Sequence, residues 1–474
     1  MKKNLSFFIL FFSISLSLFC FYSEKYLEQD EYYFYLFIND SVKNLDLYPV
    51  FKDDYENKSF NPLSEYLVSK NLLTENGFFK DISFIIDPYL IYNGDQKFNI
   101  YIKGKYEKKI NQNLFISTSA FILTDTTNPE GLNVKPFKNF LIAGFDNGYI
   151  TYKNEKFSLT FGRTYFNSGF DYQNSLIFSY NAPSMDGITF SLKLNDNFNF
   201  VSKFSNLGEM ILDSTYNFDG VDIERISRFL SFHRLTFFYR DLSLSFSESA
   251  LFGRNTISNI FDYTFPFFIF YGEQNNIDKN DNILWELSLN YKILKKLNVS
   301  YSFLIDDYQY EYEGIKDLEP PELGHLLNLS YPFSRGFMKI TYTRVNAWVY
   351  NQRFPWNRYH YNLKVIGYKG GPDIQSIKVF LDYVPAKNLK TGVSCEYNIK
   401  GDNYVETPWV FPSTNIYWYK TQIGVEPLSR WLNVTFDLEY LLKKFIFYSS
   451  ISCNHPLENS SKFFELKGGI KIVL

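Results

Sequence analysis

The sequence predicts an all-β protein: a transmembrane antiparallel β-barrel of about 18 strands with a small helical N-terminal periplasmic segment. Three observations carry this. From Lys80 onward, apolar and polar side chains alternate with period two in one segment after another, the pattern of strands with one face in oil and one in water. Aromatics make up 20% of the 474 residues, with 51 Phe and 39 Tyr, yet the mean hydropathy is only −0.22. Alternating lipid-facing and lumen-facing positions produce that combination. After Tyr22 no stretch approaches the roughly 18 uncharged apolar residues of a membrane-spanning helix, which excludes a multi-helix membrane protein.

The elements follow in chain order. Lys2 and Lys3 precede an apolar run from Leu5 to Tyr22, with no charge until Glu24. This reads as a secretory signal over residues 1–23, cleaved between Cys20 and Ser23. The run also has the length of a bilayer span, so an uncleaved anchor is the alternative. Residues 24–78 form a periplasmic segment. Asn61 as N-cap, Pro62 at the first helical position and Glu65 nearby predict a helix from there to Leu73, in a segment able to plug the barrel. Residues 79–474 form the barrel.

The most legible strands are Phe98–Tyr106, Ile188–Leu194, Leu242–Phe246, Leu284–Ile293, Leu297–Asp306, Met338–Arg344, Tyr359–Val365 and Leu432–Leu442. In Leu297–Asp306 the polar face is interrupted only by Leu304. Tight turns are expected at Asn195-Asp196-Asn197, Arg240-Asp241, Lys295-Lys296 and Lys443-Lys444. The chain ends in Phe464, Leu466, Ile470, Ile472 and Leu474, alternating with Glu465, Lys467 and Lys471. This spacing resembles the C-terminal signal of bacterial outer-membrane barrels, although Leu474 replaces the usual aromatic. The last strand is expected to close on the first, near residues 80–92.

Short periplasmic turns alternate with long external loops in such barrels. On that rule 242–252, 297–306 and 336–346 run outward, and 229–239 and 283–293 inward. Residues 206–228 and 400–414 are long where the rule wants short, so they are either mis-cut strands or periplasmic inserts. A secreted sandwich or solenoid is the soluble rival, but there is neither a short fixed repeat nor an interdomain linker.

A net charge of −3 argues against a nucleic-acid partner. Once Cys20 is removed, Cys395 and Cys453 read as two isolated small side chains in strands rather than a disulfide. No enzyme motif is present, and His233, His325, His360 and His455 are isolated from one another in sequence. Asp278 to Asn282 opens like a calcium loop, but Ile283 stands where glycine is required, so a solvated loop is the better reading. No cofactor or metal is expected.

Charged residues recur at strand ends beside aromatics: Arg163, His233-Arg234, Glu248, Asp306-Asp307 with Gln309, and Arg344. Because charge on the lipid face is costly, these groups are expected to converge in the upper lumen, as ligand contacts or as a structural network. Arg163, Arg234 and Arg344 would favour an anionic glycan.

The same residues carry a resemblance. Phe161-Gly162-Arg163, Leu176 to Pro183, His233-Arg234-Leu235, Ser247-Glu248, Ile305-Asp306-Asp307 and Tyr342-Thr343-Arg344-Val345 resemble, in order and spacing, the Wzi-type capsule-assembly family over residues 140–385. The resemblance implies an 18-stranded outer-membrane barrel that acts as a surface lectin holding capsular polysaccharide. The expected location is the bacterial outer membrane. The expected partners of this monomer are surface polysaccharide, outer-membrane lipid and the outer-membrane barrel-assembly machinery. Tyr308 to Glu313 and Trp348 to Trp356 supply the aromatic and polar mixture of a sugar site, or else pack on their own rim. A porin-like channel for small solutes is the alternative function; an outer-membrane hydrolase or acyltransferase is a third.

Overall fold

A computed structural model describes residues 82–473 except 93–95, 125–133, 135, 139, 172–173, 219, 256–260, 268, 294–295, 309–320, 387, 408–426, 443–444 and 458–462. The signal, the segment 24–78 with its helix, Gln309 and Leu474 lie outside the described residues.

The first half of the wall is β1 (Ile82–Tyr92), β2 (Gln96–Lys109), β3 (Leu114–Leu123), β4 (Ile142–Lys153), β5 (Phe157–Thr164), β6 (Met185–Lys193), β7 (Phe198–Phe218), β8 (Val221–Tyr239) and β9 (Leu242–Arg254). A short helix, α1 (Phe270–Asn276), precedes β10 (Asn282–Ile293), β11 (Leu297–Asp307), β12 (Glu322–Phe333) and β13 (Gly336–Val345). A two-stranded hairpin, β14 (His360–Tyr361) and β15 (Lys364–Val365), stands apart from the wall. The wall resumes with β16 (Ile374–Ala386), β17 (Leu389–Lys400), β18 (Ser429–Leu442), β19 (Phe445–Pro456) and β20 (Phe463–Val473).

Apart from β14 and β15, each strand pairs antiparallel with its sequence neighbours in one 18-stranded sheet. β20 closes on β1, with Ile85 opposite Val473 and Tyr92 opposite Leu466. Closure leaves no unpaired edge, as strands crossing a bilayer require. No described helix is long and apolar enough to cross a membrane.

From β2 to β19 short connections at one end alternate with long ones at the other, the two-residue β7–β8 turn excepted. Three of the short turns are built alike. Asn111, Asn154 and Asn195 each turn the side-chain oxygen onto backbone N–H groups two and three residues ahead, at 2.8 to 3.0 Å, which closes the loop locally. Residues 206–228 are not an insert. They are the far parts of β7 and β8, 21 and 19 residues long, which project past the rim as a hairpin at the long-loop end. Residues 401–407 also lie at that end, after β17, and 408–414 lie outside the described residues. Tyr359–Val365 is not a wall strand, since it forms the β14–β15 hairpin.

Below the rim the wall has two solvents. On β9, Ser243, Ser245 and Ser247 are buried inward while Leu244 and Phe246 are exposed outward. On β11, Asn298, Ser300 and Ser302 face in, opposite Val299 and Tyr301. Towards the long-loop end the inward face turns apolar: Leu230, Phe232, Leu251, Leu284, Leu304, Leu326 and Val345 join one buried core. Cys395 and Cys453 carry free thiols, registered from β17 and β19 against opposite sides of Val434.

Candidate functional site at the outer end of the barrel

Two long connections fill the upper lumen. Residues 165–184, between β5 and β6, supply Phe166, Leu176, Ile177, Phe178 and Ala182 to the core. Residues 346–373, between β13 and β16, supply Val349, Tyr350, Tyr359, Tyr361, Ile366 and Tyr368. The two loops are stitched together: Ser179 N–H donates to the Ile366 carbonyl at 2.9 Å, Asn181 Nδ2 to the Val365 carbonyl at 2.7 Å, and Tyr359 Oη to the Ile177 carbonyl at 2.9 Å. Gly367 makes the approach possible, because a Cβ there would lie 2.2 Å from the Leu176 carbonyl oxygen.

Charged wall residues hold this plug. Arg228 forks onto three carbonyls: Nε donates to Trp356 at 2.8 Å, and Nη2 to Arg358 at 2.7 Å and His360 at 3.0 Å. Glu286 accepts from the backbone N–H groups of Leu176 and Ile177. Lys339 Nζ donates to Asp171 at 2.9 Å. The bonds of Arg228 and Glu286 satisfy loop backbone that would otherwise be buried unpaired.

The predicted site residues do not form one cluster. Arg234 and Asp306 do face the upper lumen, but both are engaged by the plug. Arg234 donates to the Ser168 carbonyl and stacks on Phe170, and Asp306 accepts from Tyr350 N–H. His233 and Glu248 pair with each other on the outer face of the wall, since their neighbours Ser247 and Ser249 point inward. Arg163 shares the outward side with exposed Phe161 and Leu159 and forms an ion pair with Asp186 at 2.6 Å. Arg344 lies outward opposite His325, whose Nδ1 meets Tyr301 Oη at 2.8 Å. Asp307 is exposed at a bulge opposite Glu322. The expected convergence fails because one-residue steps along a strand alternate faces, so residues at equal height divide between lumen and exterior. Of the proposed aromatic loop, Trp348 and Trp356 are buried, so it serves mainly as plug.

Above the plug lies a different cluster, assembled from three external connections. The β7–β8 hairpin brings Asp213, Tyr216 and Phe218, the 346–373 loop Gln352 to Arg358, and the β17–β18 connection Tyr404 and Glu406. Trp356 stacks on Phe354 at 4.7 Å and meets Tyr216 and Phe218 edge-on at 5.5 and 5.7 Å. Arg358 is half-buried beside them, and its Nε donates to the Gln352 carbonyl at 3.3 Å. Burial lowers the Arg358 pKa from the ordinary guanidinium range, against the pull of Tyr216, Asp213 and Glu406. Arg353 is exposed over Phe354, and Tyr404 is exposed with Lys400 Nζ 4.8 Å from its ring. No group of His, Cys, Asp and Glu suited to a metal ion occurs among the described residues.

No family description and no curated protein matches this sequence. Solved structures do match its fold. Wzi of Escherichia coli, an outer-membrane protein involved in group 1 capsule assembly and a carbohydrate-binding β-barrel, aligns at TM-score 0.62 and 10% identity over 97% of this chain and 98% of its own. OccD3 (OpdP) of Pseudomonas aeruginosa aligns at TM-score 0.50 and 11% identity over 83% of this chain and 91% of its own. At such identities the likeness is one of fold: the barrel is of the bacterial outer-membrane kind.

Sequence reasoning missed Asp213, Tyr216, Arg358 and Glu406. One signal was available for the first two: β7 and β8 are about twice the 9–11 residues that a tilted membrane strand needs, so their tips had to stand outside the bilayer.

Proposed function

We propose that this chain is a bacterial outer-membrane protein whose outer end binds and organises a surface polysaccharide, capsular or exopolysaccharide. The observation that carries the reading is the pairing of a filled upper lumen with an aromatic and charged mouth above it. Sugars present C–H faces to aromatic rings and hydroxyls to carboxylates, amides and guanidinium groups, and the surroundings of Arg358 supply both. Wzi provides a carbohydrate-binding precedent on the same fold. The role is binding without catalysis, and the chain works as a monomer inserted by the barrel-assembly machinery. Inert behaviour towards model ester and glycoside substrates is the expected outcome.

The test is titration of the detergent-solubilised protein with polysaccharide from the producing cells. Arg358→Ala and Tyr216→Ala are each expected to weaken binding about tenfold, the loss of one good contact. Unchanged binding in both would remove the mouth as the site. The polar lower lumen favours a second reading, a porin-like channel for small solutes. Sustained single-channel conductance in a planar bilayer would support it over the first.

A further inference from the structure

The connection between β9 and β10 behaves unlike the others at the outer end. It turns outward over the rim and packs against the exterior of the wall across β7 to β10. Phe267 stacks on Phe200 at 4.8 Å, Phe270 on His233 at 4.4 Å and Tyr271 against Trp285 at 5.2 Å. These wall residues sit low. Phe200 pairs with Leu235, which in turn pairs with Phe246, and Phe246 with Leu287. Leu235, Phe246 and Leu287 belong to the exposed apolar belt of the wall. The flap therefore descends to the level of that belt.

Its polarity is inverted relative to a loop in water. The polar groups point at the wall. Arg254 is held by Asp281 at 2.7 and 2.9 Å and by Asp262 at 2.7 Å, and Tyr263 Oη donates to Asp281 at 2.8 Å. Asp281, expected in a solvated loop, is buried. Glu248 accepts from the N–H groups of Phe270 and Tyr271 and from Trp285 Nε1, at 2.7 to 2.9 Å. The outer surface is apolar: Phe265, Phe267, Ile269 and Tyr271 are each more than half exposed, Ile269 at 67%. Exposed polar residues of the flap, Asn275, Asn276 and Asp278, come after this stretch, on the climb back to Arg254 at the rim.

We infer that Phe265, Phe267, Ile269 and Tyr271 form an interfacial collar seated in the acyl chains of the outer leaflet. Three features favour lipid as the occupant. The exposed rings continue the apolar belt of the wall. Among the described residues, the exposed polar side chains of the flap lie on the side nearer the rim. The helical turn and Glu248 satisfy backbone groups that hydrocarbon could not. The carboxylate and imidazole at Glu248 and His233 are thereby shielded on a face where exposed charge is costly.

This inference rests on the outer-membrane reading, and the experiment separates the two. Nitroxide labels are placed singly at Phe267→Cys, Ile269→Cys, Phe246→Cys and Asn276→Cys in a Cys20→Ser, Cys395→Ser, Cys453→Ser background. The proteins are reconstituted in phospholipid vesicles. Collision rates with oxygen and with a water-soluble nickel chelate are then measured. Oxygen is expected to dominate severalfold at positions 246, 267 and 269, and the nickel chelate at 276. Oxygen dominance at 246 with nickel dominance at 267 and 269 overturns the collar and leaves the membrane barrel standing. Nickel dominance at 246 as well overturns the membrane reading. Labels at 267 and 269 immobile and shielded from both reagents would mean that protein covers the flap, which also overturns the lipid assignment. Ile269→Cys removes no stacked ring, so it keeps the test valid if Phe267→Cys disturbs the packing on Phe200.

Discussion

Single residues decide whether the plug stays shut. Arg228 is the clearest case, because three carbonyls of the 346–373 loop depend on one guanidinium. Arg228→Lys keeps the charge but not the fork. A lysine satisfies one carbonyl and abandons the others, each worth about 1.5–3 kcal/mol when the donor is charged. The expected result is faster hydrogen exchange of the backbone over 356–360 with the wall strands unchanged, read by mass spectrometry. His360 adds a pH dependence. Burial, with Arg228 and Arg358 close by, pushes its imidazole down to about 3. A depressed histidine pKa means that the unfolded loop binds the proton more readily than the folded one. The stabilising contribution is therefore complete above the ordinary value of about 6.5 and is lost as pH falls from there towards about 3. Bilayer recordings are expected to show openings that grow more frequent on acidification across that window. His360→Gln, which takes up no proton, should flatten the response; an unchanged acid response in the variant would remove His360 as its source.

At the scale of the element, the strands record which solvent each face meets. Leu304 broke the polar face of its strand in the sequence, and the break has a physical cause: at that height the lumen holds plug rather than water. The apolar doublets Phe229-Leu230, Leu251-Phe252 and Leu326-Leu327 each give one member to the same core from β8, β9 and β12. Period-two alternation was thus legible, and so was its failure, but the failure gives only the presence of a core and not the segments that fill it. Loops 165–184 and 346–373 carry no period of their own. A contrast between two leucines tests the distinction. Leu304→Ala opens a cavity in a packed core and is expected to cost about 2–5 kcal/mol. Leu287→Ala, 53% exposed on the outer belt, exchanges contact with acyl chains for contact with acyl chains. Lipid tails are as apolar as leucine, so its cost should be far smaller. Denaturant unfolding in one detergent compares the two directly, and equal losses would contradict this division of the wall.

For the whole molecule, closure and content of the barrel are separable. The signal for closure was readable at the C-terminus: an alternating last strand needs a partner, and β20 finds it in β1. Content was not readable, because the charged strand ends near 163, 234, 248, 306 and 344 fix height along the barrel but not facing. A residue sees lumen or exterior according to register, and bulges such as those between Asn206 and Gly208 and between Ile305 and Asp307 reset it. Replacing 349–370 by a short Gly-Ser connection tests the separation. The wall keeps its 18-stranded ladder, whose hydrogen bonds have no substitute in hydrocarbon, so the barrel should still form and resist unfolding in detergent. The upper lumen loses Tyr350, Tyr359 and Tyr368 from its core, and Arg228 loses its three carbonyl partners. Steady conductance should appear where the intact protein passes little or none. It should also fall on addition of polyvalent anions that bind the freed guanidinium. A deletion variant as silent as the parent would mean that something other than this loop closes the pore; a parent as conductive as the variant would mean that it was never closed.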